Sequence, residues 1–253
     1  MQPRERLIFP LDVPNKLEAE RLISLLKADV GLFKVGLELF MAEGPAFLQF
    51  LAETARVEYF LDLKFHDIPA TVARAQAQIR RGPRLTTVHV DQGPKMLKAM
   101  VAALQNGAKV LGVTVLTHLG PDDLEALGIA SRYASDPSQL VLLRARLAKA
   151  AGCDGVVCAG TEARAVKAAC GPEFLVVCPA IRPAWAAVPG DDQQRVMTPY
   201  EAIKAGADYI VVGRPIRLAA DPVEAARKVV AEIEQGRRDR SCPPSEAGGP
   251  PQK

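Results

Sequence analysis

The chain has 253 residues, 49% of them hydrophobic and 24% charged, with a formal net charge of +3. That length suits one α/β barrel or one to two ordinary domains, with enough chain for a sizeable core. The charge is too small to argue for nucleic acid or an anionic membrane, and one Trp with four Tyr makes no stacking platform for single strands.

Strand and helix patterns alternate along the chain, as in a parallel sheet built from βαβ units. Leu7 to Leu11 reads as a strand ending in Asp12, and Asn15 can cap a helix running to about Lys27. Val30 to Val35 is a second strand carrying Lys34, followed by a helix from about Pro45 to Arg56. The third starts at Tyr59 and ends just before Asp67, with its helix from about Pro69 to Arg81. Leu85 to Val90 is the fourth, with His89 at its end and a helix from Pro94 to Asn106. Lys109 to Leu116 is the fifth, leading to Thr117 and then to one or two helices between Pro121 and Ala151. Gly155 to Cys158 and Phe174 to Cys178 are strands six and seven, with a helix from Thr161 to Cys170 between them. Tyr209 to Val212 is the eighth, before a last helix from Pro222 to Gln235.

Eight such units in about 235 residues predict a (β/α)8 TIM barrel, a single domain over residues 1–236. An open doubly wound sheet is the runner-up, although no G-x-G-x-x-G follows the first strand. Residues 237–253, rich in Pro, Gly and charge, are expected to be disordered and outside the fold.

The third strand carries the densest chemistry, Leu61-Asp62-Leu63-Lys64-Phe65-His66-Asp67-Ile68-Pro69. Alternation puts Asp62 and Lys64 on one face, and Asp67 follows the strand end. Two carboxylates and an ammonium thus meet where α/β folds place their chemistry. Taken alone, the pattern equally fits a salt bridge at a strand end. Further along, Gly213-Arg214 after strand eight suits a phosphate, or else a turn with a solvated Arg. His66 reads as a surface or supporting residue, and His89 as a core histidine or a ligand contact. The three histidines form no zinc pattern, and Asp122-Asp123 and Asp191-Asp192 read as loop surface. Five cysteines without a C-x-x-C fit a reducing, cytoplasmic setting. No signal-peptide core or uncharged membrane-length span is present.

The ordered set resembles the orotidine 5′-phosphate decarboxylase family. It comprises Leu11-Asp12, Phe33-Lys34-Val35-Gly36, the third-strand motif, Val115-Leu116-Thr117, Ile181-Arg182-Pro183 and Val212-Gly213-Arg214-Pro215-Ile216. The resemblance spans about residues 5 to 235. It implies a barrel working as a homodimer with shared active sites, without cofactor or metal, on a small-molecule substrate. Lys64 would be the proton donor, within a charged tetrad of Lys34, Asp62, Lys64 and Asp67, with Asp67 reaching the neighbouring subunit's site. Asp12 and Lys34 would contact the ribose, Ile68 and Thr71 would approach it from the partner, and Thr117 would lie near the base. Arg182, Gln193, Gly213 and Arg214 would hold the phosphate. The chain departs from the family at Ala180, His118 and Asp91-Gln92-Gly93. Two alternatives remain: a Mg2+-dependent sugar-phosphate barrel and a non-catalytic nucleotide-binding barrel.

Overall fold

Apolar runs of three to seven residues form the strands of a closed parallel sheet. The computed structural model describes residues 1–79, 82–104, 107–186 and 196–241. In chain order the elements are β1 (Leu7–Pro10), α1 (Lys16–Leu26), β2 (Leu32–Val35), α2 (Leu37–Glu43), α3 (Pro45–Phe50), β3 (Tyr59–Phe65), α4 (Pro69–Ala77), β4 (Leu85–His89) and α5 (Pro94–Ala103). There follow β5 (Lys109–Val113), α6 (Pro121–Ala126), α7 (Ser131–Ala134), α8 (Pro137–Ala150), β6 (Gly155–Val157), α9 (Ala163–Cys170), β7 (Leu175–Cys178), α10 (Pro199–Ala205), β8 (Tyr209–Val211), α11 (Arg214–Arg217) and α12 (Pro222–Ser241). Each strand pairs with its sequence neighbours, and β8 pairs in parallel with β1 through Leu7↔Ile210 and Ile8↔Val211. That last pairing closes a (β/α)8 barrel and rules out the open sheet.

Local chemistry explains the starts of the helices. Asn15 caps α1 by accepting the Glu18 N–H at 3.0 Å. Pro69, Pro94, Pro121 and Pro137 each stand in a first helical turn, where a missing N–H costs nothing.

Several boundaries differ from the sequence reading. The stretch after β2 is helical, because Gly36 and Gly44 bracket α2. The region 121–151 holds three helices rather than one or two. Helix α10 went unpredicted although Thr198-Pro199-Tyr200-Glu201 is a capping box, with the Thr198 side chain accepting from Glu201 N and Glu201 reaching back to Thr198 N. The expected end of the last helix before Gly236 is also corrected. Gly236 lies inside α12, where an added Cβ would stand 2.6 Å from the Tyr200 carbonyl oxygen. It allows a close helix approach instead of ending a helix, so Arg237–Ser241 belong to α12 and not to a tail. Residues 242–253 lie outside the described residues.

Alternation along the strands builds the barrel interior in layers. Ile8, Leu32, Phe60, Leu85, Leu111, Val177 and Tyr209 form one apolar cluster. A larger one, with Phe9, Phe33, Leu61, Val88 and the inner faces of the helices, lies around it. Two residues further along three of the inner positions come Lys34, Asp62 and Thr87. The same period that seats the core therefore carries polar groups to the C-terminal mouth.

Candidate active site

Asp62 is the centre of the site, only 9% exposed. Its Oδ2 lies 2.9 Å from Lys64 Nζ and 3.8 Å from Lys34 Nζ. Its Oδ1 accepts the Thr87 hydroxyl at 3.0 Å. Lys34 Nζ continues to Asp12 Oδ1 at 3.1 Å. Four residues from three strand ends thus form one alternating chain of charge, Asp12, Lys34, Asp62, Lys64. Burial by itself would push the Asp62 carboxyl up. The two ammonium charges and the hydrogen bonds from Lys64 and Thr87 outweigh it and hold the group below its ordinary value. Asp62 is therefore ionised at neutral pH.

Gly36 makes room for this chain. A Cβ there would stand 2.9 Å from Lys34 Nζ and 3.4 Å from Asp12 Oδ1. The Asp12 carbonyl in turn accepts from Arg217 Nη1 at 3.0 Å, which ties the β1 end to α11.

The backbone at Lys64 is not a regular strand. Its φ is +50, and the pairing of β3 with β4 shifts between Leu61 and Phe65. Four steps on β3 there oppose two on β4, from Leu61↔Thr86 to Phe65↔Val88, which is a bulge. A left-handed conformation costs a non-glycine residue about 1–2 kcal/mol. Such strain persists where its surroundings over-determine it, and it concentrates at functional sites. Here the Lys64 N–H donates to Thr87 Oγ1 at 2.9 Å, so one hydroxyl fixes both the Lys64 backbone and the Asp62 carboxylate. Simple alternation predicted the Asp62–Lys64 contact but not the bulge. Thr87 was missed, although its spacing from Leu85 aims it inward.

Lys34, Asp62, Lys64 and Thr117 line a cavity of about 80 Å³ with Phe60, Val113, Val115, Leu116, Val157, Cys158, Val177, Pro179 and Val211. One end is charged and the walls are apolar, the usual makeup of a small-molecule site. Of the other sequence-named residues, those described lie outside this cavity. Asp67 is exposed, and among the described residues its carboxylate is hydrogen-bonded by the Ile68 N–H at 2.6 Å. Ile68 is 65% exposed and Thr71 half-buried in the first turn of α4. Arg182 follows a bridge between Ile181 and Met197, and its N–H donates to the Met197 carbonyl at 2.9 Å. Gly213 and Arg214 follow β8, and a Cβ on Gly213 would meet Pro10 Cγ at 2.8 Å. The absent side chain there lets the β8 end pack on β1. Gln193 lies outside the described residues.

Two departures from the family pattern gain a physical setting. Ala180 is buried with φ +60, a conformation that glycine adopts without the Cβ penalty. His118 is exposed beside Thr117. His89 is half-buried, and burial outweighs the Asp91 charge to lower its pKa below 6.5, so it is neutral at pH 7. Its ring packs T-shaped against that of His66, with the ring centroids 5.5 Å apart. Among the described residues no group of three or more His, Cys, Asp or Glu is arranged to hold a metal ion. The four described cysteines are buried and free, and no helix of the described residues is long and apolar enough to cross a membrane.

The fold and site define a (β/α)8 barrel with a lysine–carboxylate chain at its C-terminal mouth. A sequence model of the orotidine 5′-phosphate decarboxylase / HUMPS family matches residues 5–229. The orotidine 5′-phosphate decarboxylase of Anaeromyxobacter sp. (strain K) is 49% identical over 234 residues, covering 92% of this chain and 100% of that protein. The orotidine 5′-phosphate decarboxylase of Trichlorobacter lovleyi is 45% identical over 242 residues, 93% of this chain and 98% of that protein. The crystal structure of the Lactobacillus acidophilus orotidine 5′-phosphate decarboxylase superposes with a TM-score of 0.76 at 35% identity, over 90% of this chain and 98% of that one. The chain belongs to the orotidine 5′-phosphate decarboxylase / HUMPS family.

Proposed function

We propose that this protein decarboxylates orotidine 5′-phosphate to uridine 5′-phosphate and CO2, the last step of de novo pyrimidine nucleotide synthesis. The observation that carries the reading is the ammonium of Lys64 held 2.9 Å from an ionised, buried Asp62 at the rim of an apolar cavity. In this reaction the C6–carboxylate bond breaks and its electron pair stays on C6. Lys64 stabilises that charge as it develops and then gives C6 a proton from Nζ. Solvent restores the ammonium. Asp62 keeps Lys64 charged and oriented, while Lys34 and Asp12 meet the ribose. Thr117 borders the base, and Arg182, Gln193, Gly213 and Arg214 take the phosphate. Ultraviolet monitoring of orotidine 5′-phosphate with the purified protein tests the reading; a spectrum that stays constant over hours rejects it.

The protein acts in the cytoplasm without cofactor or metal. In a magnesium-dependent sugar-phosphate barrel the carboxylates must be open to a cation. Here the Lys34 ammonium lies between Asp12 and Asp62, at 3.1 and 3.8 Å. Turnover is expected to survive exhaustive chelation. Loss on chelation with rescue by Mg2+ would transfer the site to sugar-phosphate chemistry.

The working unit is a homodimer with two composite sites, each receiving Asp67, and with it Ile68 and Thr71, from the partner chain. The exposure of Asp67, which does not line the cavity that Lys64 lines, supports this arrangement. Lys64→Ala and Asp67→Ala chains, each nearly inactive alone, are expected to regain activity when co-expressed. A mixed dimer has one doubly defective site and one intact site. Random pairing makes half the dimers mixed, so roughly a quarter of wild-type activity per site returns. Verified mixed dimers without recovered activity would return Asp67 to its own chain.

A further inference from the structure

The segment after the Lys64 bulge leaves the sheet with little ladder support of its own. Phe65 is the last residue of β3 to pair with β4, and Asp67 stands two residues beyond it. What holds this segment comes from the turn after β4, Asp91-Gln92-Gly93. Gln92 Nε2 donates to the Phe65 carbonyl at 2.9 Å and to the His89 carbonyl at 3.3 Å. Asp91 Oδ1 lies 3.3 Å from His66 Nε2. The other oxygen of Asp91 faces Arg144 Nη2 at 3.7 Å, and Arg144 Nη1 donates to the Thr114 carbonyl at 2.5 Å.

We propose that Asp91 and Gln92 are positioning residues that clamp Phe65 and His66, and so hold Lys64 in its left-handed backbone and aim Asp67. This rests on the decarboxylase reading above. The clamp has a rigid base. Asp91 and Gln92 sit on a short 3-10 turn, Val90–Gln92, whose Val90 is buried, and Gly93 with φ +84 leads directly into α5. Arg144 projects from the middle of α8, a helix of 14 residues, and its side chain is only 13% exposed. The turn is therefore braced from β4, α5 and α8 together. On the other side, His66 and Phe65 are the two residues immediately following Lys64, so a shift there rotates the Lys64 peptide. Thr87 holds Lys64 at its N–H; Gln92 holds the carbonyl of Phe65, one residue on. Between them the bulge has one fixed point on each side.

The bland alternative is that these contacts only join β3 to β4 and stabilise the barrel. The two roles separate in Asp91→Asn and Gln92→Ala, made singly. A positioning role lowers kcat about tenfold or more, because a misplaced ammonium fails in the transition state, while KM stays within about threefold. It also speeds hydrogen–deuterium exchange in the peptide spanning Leu61–Ile68 of the free enzyme, with the rest of the barrel unchanged. Gln92→Ala removes no charge and serves if Asp91→Asn fails to accumulate. A lower melting temperature with unchanged kcat overturns the proposal, as does a lower kcat with unchanged exchange in that peptide. Wild-type protein without turnover would instead overturn the decarboxylase reading, and this inference with it.

Discussion

Lys64→Ala is expected to give a folded barrel that still binds nucleotide but turns over more than roughly a thousandfold more slowly. The fold should survive because Asp62 is not orphaned by the change. Its carboxylate keeps the Thr87 hydroxyl at 3.0 Å and the Lys34 ammonium at 3.8 Å. The stability cost is then about 1.5–3 kcal/mol, the range for a hydrogen bond to a charged group. The loss of turnover has a different origin. Lys64 is the group assigned both to stabilise the charge at C6 and to deliver its proton, and its Nζ lies at the rim of the cavity beside Asp62. Lys34 cannot replace it, because its ammonium already spans Asp12 and Asp62. Circular dichroism, product-analogue titration and kcat on the same preparation check the three parts. A variant keeping more than about a tenth of wild-type kcat would remove Lys64 from the proton-donor role.

Arg214→Ala is expected to lower kcat/KM for the phosphorylated substrate by about 2–5 kcal/mol, the cost of truncating one partner of a buried charge pair. That is roughly a thirtyfold to several-thousandfold change. The unphosphorylated nucleoside should lose far less, since the group that Arg214 is assigned to meet is already missing. Comparing kcat/KM for both compounds, wild type against variant, isolates the phosphate contribution as in a double-mutant cycle. Equal losses on the two would place Arg214 outside the phosphate site. A loss of the fold is not expected, because Arg214 is half-buried at the start of a four-residue helix whose seating depends on the buried Pro215 and Ile216.

What could be read from the residues follows the physics of periodicity. The strands were legible because both faces of a parallel barrel strand are covered, which leaves apolar runs such as Leu7-Ile8-Phe9 and Gly155-Val156-Val157. The placement of Lys34 and Asp62 was legible because each lies two residues past an inward apolar residue. The bulge at Lys64 was not, since a left-handed lysine leaves no mark in composition and arises from contacts with Thr87 on another strand. The last helix, read as ending at Gln235, runs on through Gly236 to Ser241 for a related reason. A glycine near a helix end signals a stop, and only the proximity of the Tyr200 carbonyl reveals that it serves packing. The Thr198–Glu201 capping box, by contrast, is written in the chain as Thr-Pro-Tyr-Glu.

The pairing of β8 with β1 sets the order in which this molecule can be finished. Leu7 meets Ile210 across the closing seam, and the Asp12 carbonyl waits for Arg217, 205 positions further on. During synthesis the first strand therefore has an open edge for nearly the whole length of the barrel, exposed to pairing with other chains. Contacts of such separation also make barrel closure slow compared with formation of its local βα units. A chain released before β8 would keep most of the helical layer, yet lack both the seam and the anchor of its β1 loop. The mouth of the barrel, where Asp12 and Lys34 meet, is thus among the last parts of the molecule to become native, and full-length synthesis is the condition for its chemistry.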